Sequence, residues 1–138
     1  MKKIFLLSVL MLTLGSCSIE NDIVNNVTVT LPIDSVTIPE EFKFGQVYPI
    51  DVTYFRPSSC HLFNTFYVDK NENETTVVLV NTVYEDTNCE TFDLNSNETE
   101  ASFNFQVNNN NTQVFKFWQG KNENGSDLYL VVEVPVVE

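Results

Sequence analysis

The chain reads as all-β, an antiparallel sandwich of about seven strands of immunoglobulin-like type, with a small β-barrel as the alternative. Three observations predict this. From Val27 onward apolar residues recur with a period of two, the period of a strand with one buried face. Clusters of Asn, Asp, Gly, Pro and Ser separate the alternating runs, as turns require. No stretch carries the 3.6-residue period of an amphipathic helix.

The elements follow in order. Val27, Val29, Leu31 and Ile33 alternate with Thr28, Thr30 and Pro32, and the proline, which cannot donate to a ladder, marks an edge or irregular strand. Val36 and Ile38 extend the pattern to Pro39. Tyr48, Ile50, Val52 and Tyr54 form the next apolar face, closed by the turn Arg56-Pro57-Ser58-Ser59. His61 to Val68 is rich in aromatic and β-branched residues, and a polar turn over 69–74 leads into Thr75 to Tyr84. A loop carrying Cys89 precedes the cleanest alternation. There Ala101, Phe103, Phe105 and Val107 face one way, and Glu100, Ser102, Asn104 and Gln106 the other. Val114 to Gln119 follows, then a turn over 120–127 containing Asn124-Gly125. The last strand sets Leu128, Leu130, Val132, Val134 and Val136 on one face. Trp118 reads as packing in or near the core.

The first residues follow a different logic. Lys2 and Lys3 precede an apolar run, Ile4 to Leu14, broken only by Ser8 and Thr13, and small residues then lead to Cys17. A basic start, an apolar middle and a small-residue end make a secretory signal, and the run is too short to span a bilayer, which takes about 20 residues. Leu14-Gly15-Ser16-Cys17 resembles the bacterial lipobox, in which the cysteine is acylated and becomes the first mature residue. The expected organisation is a removed signal at 1–16, a lipidated cysteine and tether at 17–26, and one sandwich domain at 27–138. Ser18, Glu20 and Asp22 resemble the acidic signal for surface display in lipoproteins of the Bacteroidota, interrupted here by Ile19 and Asn21. Asp34-Ser35-Val36 resembles the O-glycosylation acceptor of the same bacteria, making Ser35 a candidate modified residue.

Seven basic and 19 acidic residues give a net charge of −12, and loss of Lys2 and Lys3 with the signal leaves −14. Such a balance argues against nucleic acid and against adhesion to an anionic membrane surface, both of which select basic patches. The acids are scattered, with Glu40-Glu41 and Glu85-Asp86 the only adjacent pairs, as on a solvated surface. With Cys17 committed to lipid, Cys60 and Cys89 remain as an even pair in an exported domain, where a disulfide is the default. Cys60, His61 and Cys89 as a zinc site would lack the C-x-x-C spacing that such sites use.

Catalytic chemistry finds little to work with. His61 is the single histidine, no G-x-S-x-G elbow occurs, and no glycine-rich loop is present to cradle phosphate. Asp69-Lys70-Asn71-Glu72-Asn73-Glu74 superficially follows the opening of a calcium loop, but it lacks the sixth-position glycine and has no bidentate acid at the twelfth place. A hairpin turn is the simpler reading.

Four segments together resemble small lipoproteins of marine and related Flavobacteriia: Ile38-Pro39-Glu40-Glu41-Phe42-Lys43-Phe44-Gly45; Pro57-Ser58-Ser59-Cys60-His61; Phe115-Lys116-Phe117-Trp118-Gln119-Gly120; and Glu133-Val134-Pro135-Val136. The resemblance covers most of the chain after Cys17 and brings no activity with it, so lipidation of Cys17 is the one role it implies. The expectation is a palmitate-bearing outer-membrane lipoprotein, facing the periplasm or the cell surface. It would be a non-catalytic binding module without a cofactor, for an envelope polysaccharide or partner protein. A structural envelope component without a specific ligand is the alternative. A glycan ligand would stack on exposed aromatics among Tyr54, Tyr67, Tyr84 and Trp118, and a protein partner would use edge strands and loops.

Overall fold

A computed structural model describes residues 25–85 and 88–138, and the regular structure there is entirely strand. The lipobox, Cys17 and most of the tether lie outside the described residues. Seven strands are long: β1 (Asn26–Leu31), β4 (Val47–Phe55), β5 (His61–Asn71), β6 (Glu74–Tyr84), β7 (Glu98–Gln106), β8 (Gln113–Lys121) and β9 (Asp127–Val134). These correspond to the alternating runs of the sequence. Three short pieces accompany them: β2 (Ser35–Thr37), β3 (Phe42–Lys43) and β10 (Val136–Val137).

The strands form packed open sheets, not a closed barrel. In the larger sheet β5 pairs with the whole of β6 in antiparallel fashion, from His61↔Val83 to Asn71↔Glu74. The other side of β6 is shared. β1 lies antiparallel along its C-terminal half, Asn26↔Tyr84 to Leu31↔Leu79, and β8 lies parallel to its N-terminal end, Glu74↔Val114 to Val77↔Phe117. β9 completes this sheet beside β8. The facing sheet has the order β2-β4-β7, and β3 pairs in parallel with β10.

Pro32 sits where the chain changes sheets. The Ile33 N–H donates to the Trp118 carbonyl at 2.9 Å, and the next N–H, of Asp34, donates to the Thr53 carbonyl at 2.8 Å. The crossing presses against β8 at Gly120, whose φ is +96° and whose absent Cβ would lie 3.4 Å from Pro32 Cγ. A side chain there would strain the backbone and crowd the proline at once.

The core forms between the inward faces that the alternation marks out. Ile50, Val52, Tyr54, Ala101, Phe105 and Val107 come from one sheet and its margins, and Val77, Leu79, Phe115 and Phe117 from the other. Phe105 meets Phe115 edge-on at 4.8 Å between ring centres, and Phe42 stacks on Phe105 at 5.6 Å. Each buried phenylalanine contributes about 1.5–3 kcal/mol by leaving water. Two expectations need correcting. Tyr54 is fully buried and leaves the set of aromatics a glycan could reach. Trp118 lies outside the core: Phe117 takes the inward position, so its neighbour points outward beside Tyr129, half-buried, with Nε1–H donating to Asp127 at 2.9 Å.

Candidate functional site

β5 is the most exposed of the long strands, although its composition is that of a buried one. Among the described residues, its eleven residues pair with β6 on one side only. Pairing opposite the buried Leu79 and Val77 turns Phe66 and Val68 toward the sandwich interior, and Thr65, Tyr67 and Asp69 toward the outer face. Tyr67 is 62% exposed and Val68 44%, and Leu62 and Phe63 are exposed as well. Long apolar edges are ordinarily blunted by charge, proline or bulges. Two such devices stand on β5 at its ends. The register shifts between Phe63 and Thr65, where Asn64 Nδ2–H donates to Thr82 Oγ1 at 2.9 Å. At the other end Lys70 turns inward and lays its ammonium 4.6 Å from the centre of the Phe105 ring. Between bulge and lysine, Thr65 to Val68 carries no charge, proline or bulge.

Cavities flank this stretch on both faces. Inside, an open groove of about 420 Å³ separates β5 from β7, the edge of the facing sheet. Phe66, Val68, Phe103 and Phe105 line it, with Lys70 at one end. Phe66 and Phe103, with ring centres 5.1 Å apart, close the other end. Thr75 also lines the groove; it is fully buried and its Oγ1 has no hydrogen-bond partner. Outside, a second depression of about 420 Å³ is lined by Tyr67, Val78 and Val80 with Thr28 and Thr30. The β7 edge differs: its outward side chains are Glu98, Glu100, Ser102, Asn104 and Gln106, as an edge kept free of partners would have.

The sequence-predicted residues fall elsewhere. Cys60 and Cys89 form a disulfide with Cα atoms 5.5 Å apart, joining the residue before β5 to the loop after β6. Around it, Ser59 N–H donates to the Glu90 carbonyl at 2.9 Å, and Phe92 N–H to the Pro57 carbonyl at 2.9 Å. Arg56 stacks over Phe92, its Cζ 5.7 Å from the ring centre, and donates from Nη2 to the Ser59 carbonyl at 3.0 Å. His61 Nδ1 is 2.8 Å from Ser58 Oγ, and burial followed by the Arg56 charge holds the imidazole pKa below its ordinary value. Among the described residues no three His, Cys, Asp or Glu side chains come together as ligands. Ser35 is exposed on β2, with its hydroxyl 2.6 Å from that of Thr53. Tyr67 and Tyr84 are exposed as a glycan site would need, on different strands.

The sequence reading named edge strands as contact surfaces in general and did not single out β5. One signal was there. His61 to Val68 carries apolar residues at adjacent positions, Leu62-Phe63 and Tyr67-Val68, so neither face is polar. Such a run reads as a strand covered on both faces, and in the structure both faces remain partly open. Comparison of the chain with protein-family models, with curated proteins and with solved structures finds no match.

Proposed function

We propose that this chain is a bacterial outer-membrane lipoprotein, held by lipid on Cys17, whose immunoglobulin-like sandwich binds another envelope component without catalysing a reaction. The observation that carries the reading is the unpaired β5 edge, apolar on both faces and flanked by a cavity on each. Exposed apolar surface of this kind is costly to leave in water and marks interaction sites. The leader, the acidic surface and the disulfide agree with a soluble domain tethered outside the cytoplasm.

Two measurements test it in cells. Labelled palmitate should appear on the protein and disappear with Cys17→Ala, which should also release the protein from membranes; unchanged retention refutes the anchor. A photoactivatable phenylalanine analogue at Tyr67 should crosslink to an envelope component, and the same group at Glu133 should not. Equal labelling from both positions, or none from either, refutes a binding role centred on β5.

A further inference from the structure

We infer that the ligand of this edge is an extended polypeptide strand, apolar at alternate positions and flanked by Lys or Arg, that adds to β5 over Thr65 to Asp69. The inference rests on the binding reading above and names the partner's chemistry. An unpaired strand edge offers a row of backbone N–H and C=O groups, and another extended backbone is what satisfies such a row. Side chains of an added strand alternate between its two faces. Those on the inner face would lie over the groove of Phe66, Val68, Phe103 and Phe105, and those on the outer face beside Thr65, Tyr67 and Asp69. Apolar side chains therefore suit the inner set, while the outer set meets the mixed row of Thr65, Tyr67 and Asp69, which gives the ligand its two-residue period. The bulge at Asn64 and the inward Lys70 bracket the docking stretch and fix its length at about five residues.

Charge selects among strands. Among the described residues Asp69 and Glu72 on and beyond β5, with Glu98 and Glu100 on β7, make no ion pair; Lys70 at the end of the groove offsets one of these four acids, and Lys116 and Lys121 are paired with Glu74 and Asp127. The surroundings of the groove are thus acidic in a chain of net charge −12. A second copy would bring the same acids and the same net charge, while a strand with basic flanks meets them with opposite sign.

The test uses the full chain extracted in mild detergent and a phage-displayed library of random twelve-residue peptides. Enriched peptides should carry apolar residues at every second position over at least five residues, with Lys or Arg outside that run. Backbone N-methylation at alternate residues should abolish binding in one phase and spare it in the other, because only one set of N–H groups faces β5. Val68→Lys, a change at a partly exposed position, should weaken binding about tenfold or more while the thermal melt is unchanged. Peptides without the two-residue period, or indifferent to both methylation phases, would overturn strand addition; persistent crosslinking from Tyr67 in that case would leave the binding module standing. Self-association of the protein that Val68→Lys abolishes and that excludes the peptides would overturn the foreign partner in favour of a second copy.

Discussion

Removing the disulfide is the perturbation whose size the structure best defines. Cys60 and Cys89 are 29 residues apart. In the chain-entropy account, closing a loop of that length restricts the unfolded ensemble by about 12 cal/mol/K, or about 3.6 kcal/mol at 25 °C. Native contacts around the bridge survive its loss. Ser59 N–H still reaches Glu90, Glu90 N–H still reaches Ser59 Oγ at 2.9 Å, and Tyr84 N–H still reaches the Cys60 carbonyl at 3.1 Å. The cost therefore falls on the unfolded side of the equilibrium. For a domain of this size it corresponds to a fall in Tm of about 15 °C. The assay compares thermal and urea unfolding of the native protein with the double variant Cys60→Ser, Cys89→Ser. The urea m-value should rise, because the uncrosslinked unfolded chain exposes more surface. A fall in Tm of under about 4 °C, equivalent to about 1 kcal/mol, would refute the loop-closure argument. So would a large fall with an unchanged m-value, which would place the effect in the native state.

Three further outcomes are expected. Inside the sandwich the Tyr54 hydroxyl faces Asn81, but no hydrogen bond of ordinary geometry joins them, and burial pushes the phenol pKa up against the smaller pull of Asn81 and Arg56. Tyr54→Phe with Asn81→Leu should stabilise the fold by about 1–3 kcal/mol in chemical denaturation, and a loss of that size would show that the pair is satisfied. His61 has a folded pKa below its unfolded value, so the unfolded state binds the proton more readily. Stability should fall as pH drops through about 6.5 and on through the lower folded value, and His61→Gln should flatten that part of the pH–stability curve; an identical slope refutes the assignment. Glu72, at the β5–β6 turn, holds φ at +54°, a left-handed conformation that costs a non-glycine residue about 1 kcal/mol. Glu72→Asn should raise stability by up to about 1 kcal/mol, and a decrease in Tm would show that the carboxylate has a role there.

How much of this was legible beforehand depends on what alternation can report. Period two says which side chains share a face, so Phe105 and Val107, or Ile50 and Val52, could be placed inside from the sequence alone. It is silent on neighbours. That β1 and β8 share one side of β6 depends on the crossing at Pro32 and on Gly120, whose missing side chain lets the segments touch. Trp118 misled because a large aromatic is expected inside, yet Phe115 and Phe117 hold the inward positions of β8 and leave it the outer face. The β5 site was hidden for the same reason in reverse. Apolar residues on both faces normally signal coverage on both sides, and nothing in a single sequence says that β5 lies at the edge of its sheet.

The placement of β1 has a mechanical consequence. It is the first described strand after Cys17 and runs antiparallel to β6 through six cross-strand pairs, from Asn26↔Tyr84 to Leu31↔Leu79. If the chain is held by lipid on Cys17 and by a partner at β5, as proposed, a pull along the strand axis would load those pairs in shear, so they would resist together. The same pull at right angles would peel them singly from Tyr84 onward. At that loaded end Tyr84 N–H is bound to the Cys60 carbonyl, and Cys60 is bonded to Cys89 beyond β6. On that proposal the crosslink would act as a rivet where the rope meets the body, and reduction should lower the rupture force of a tethered domain before it disturbs the core.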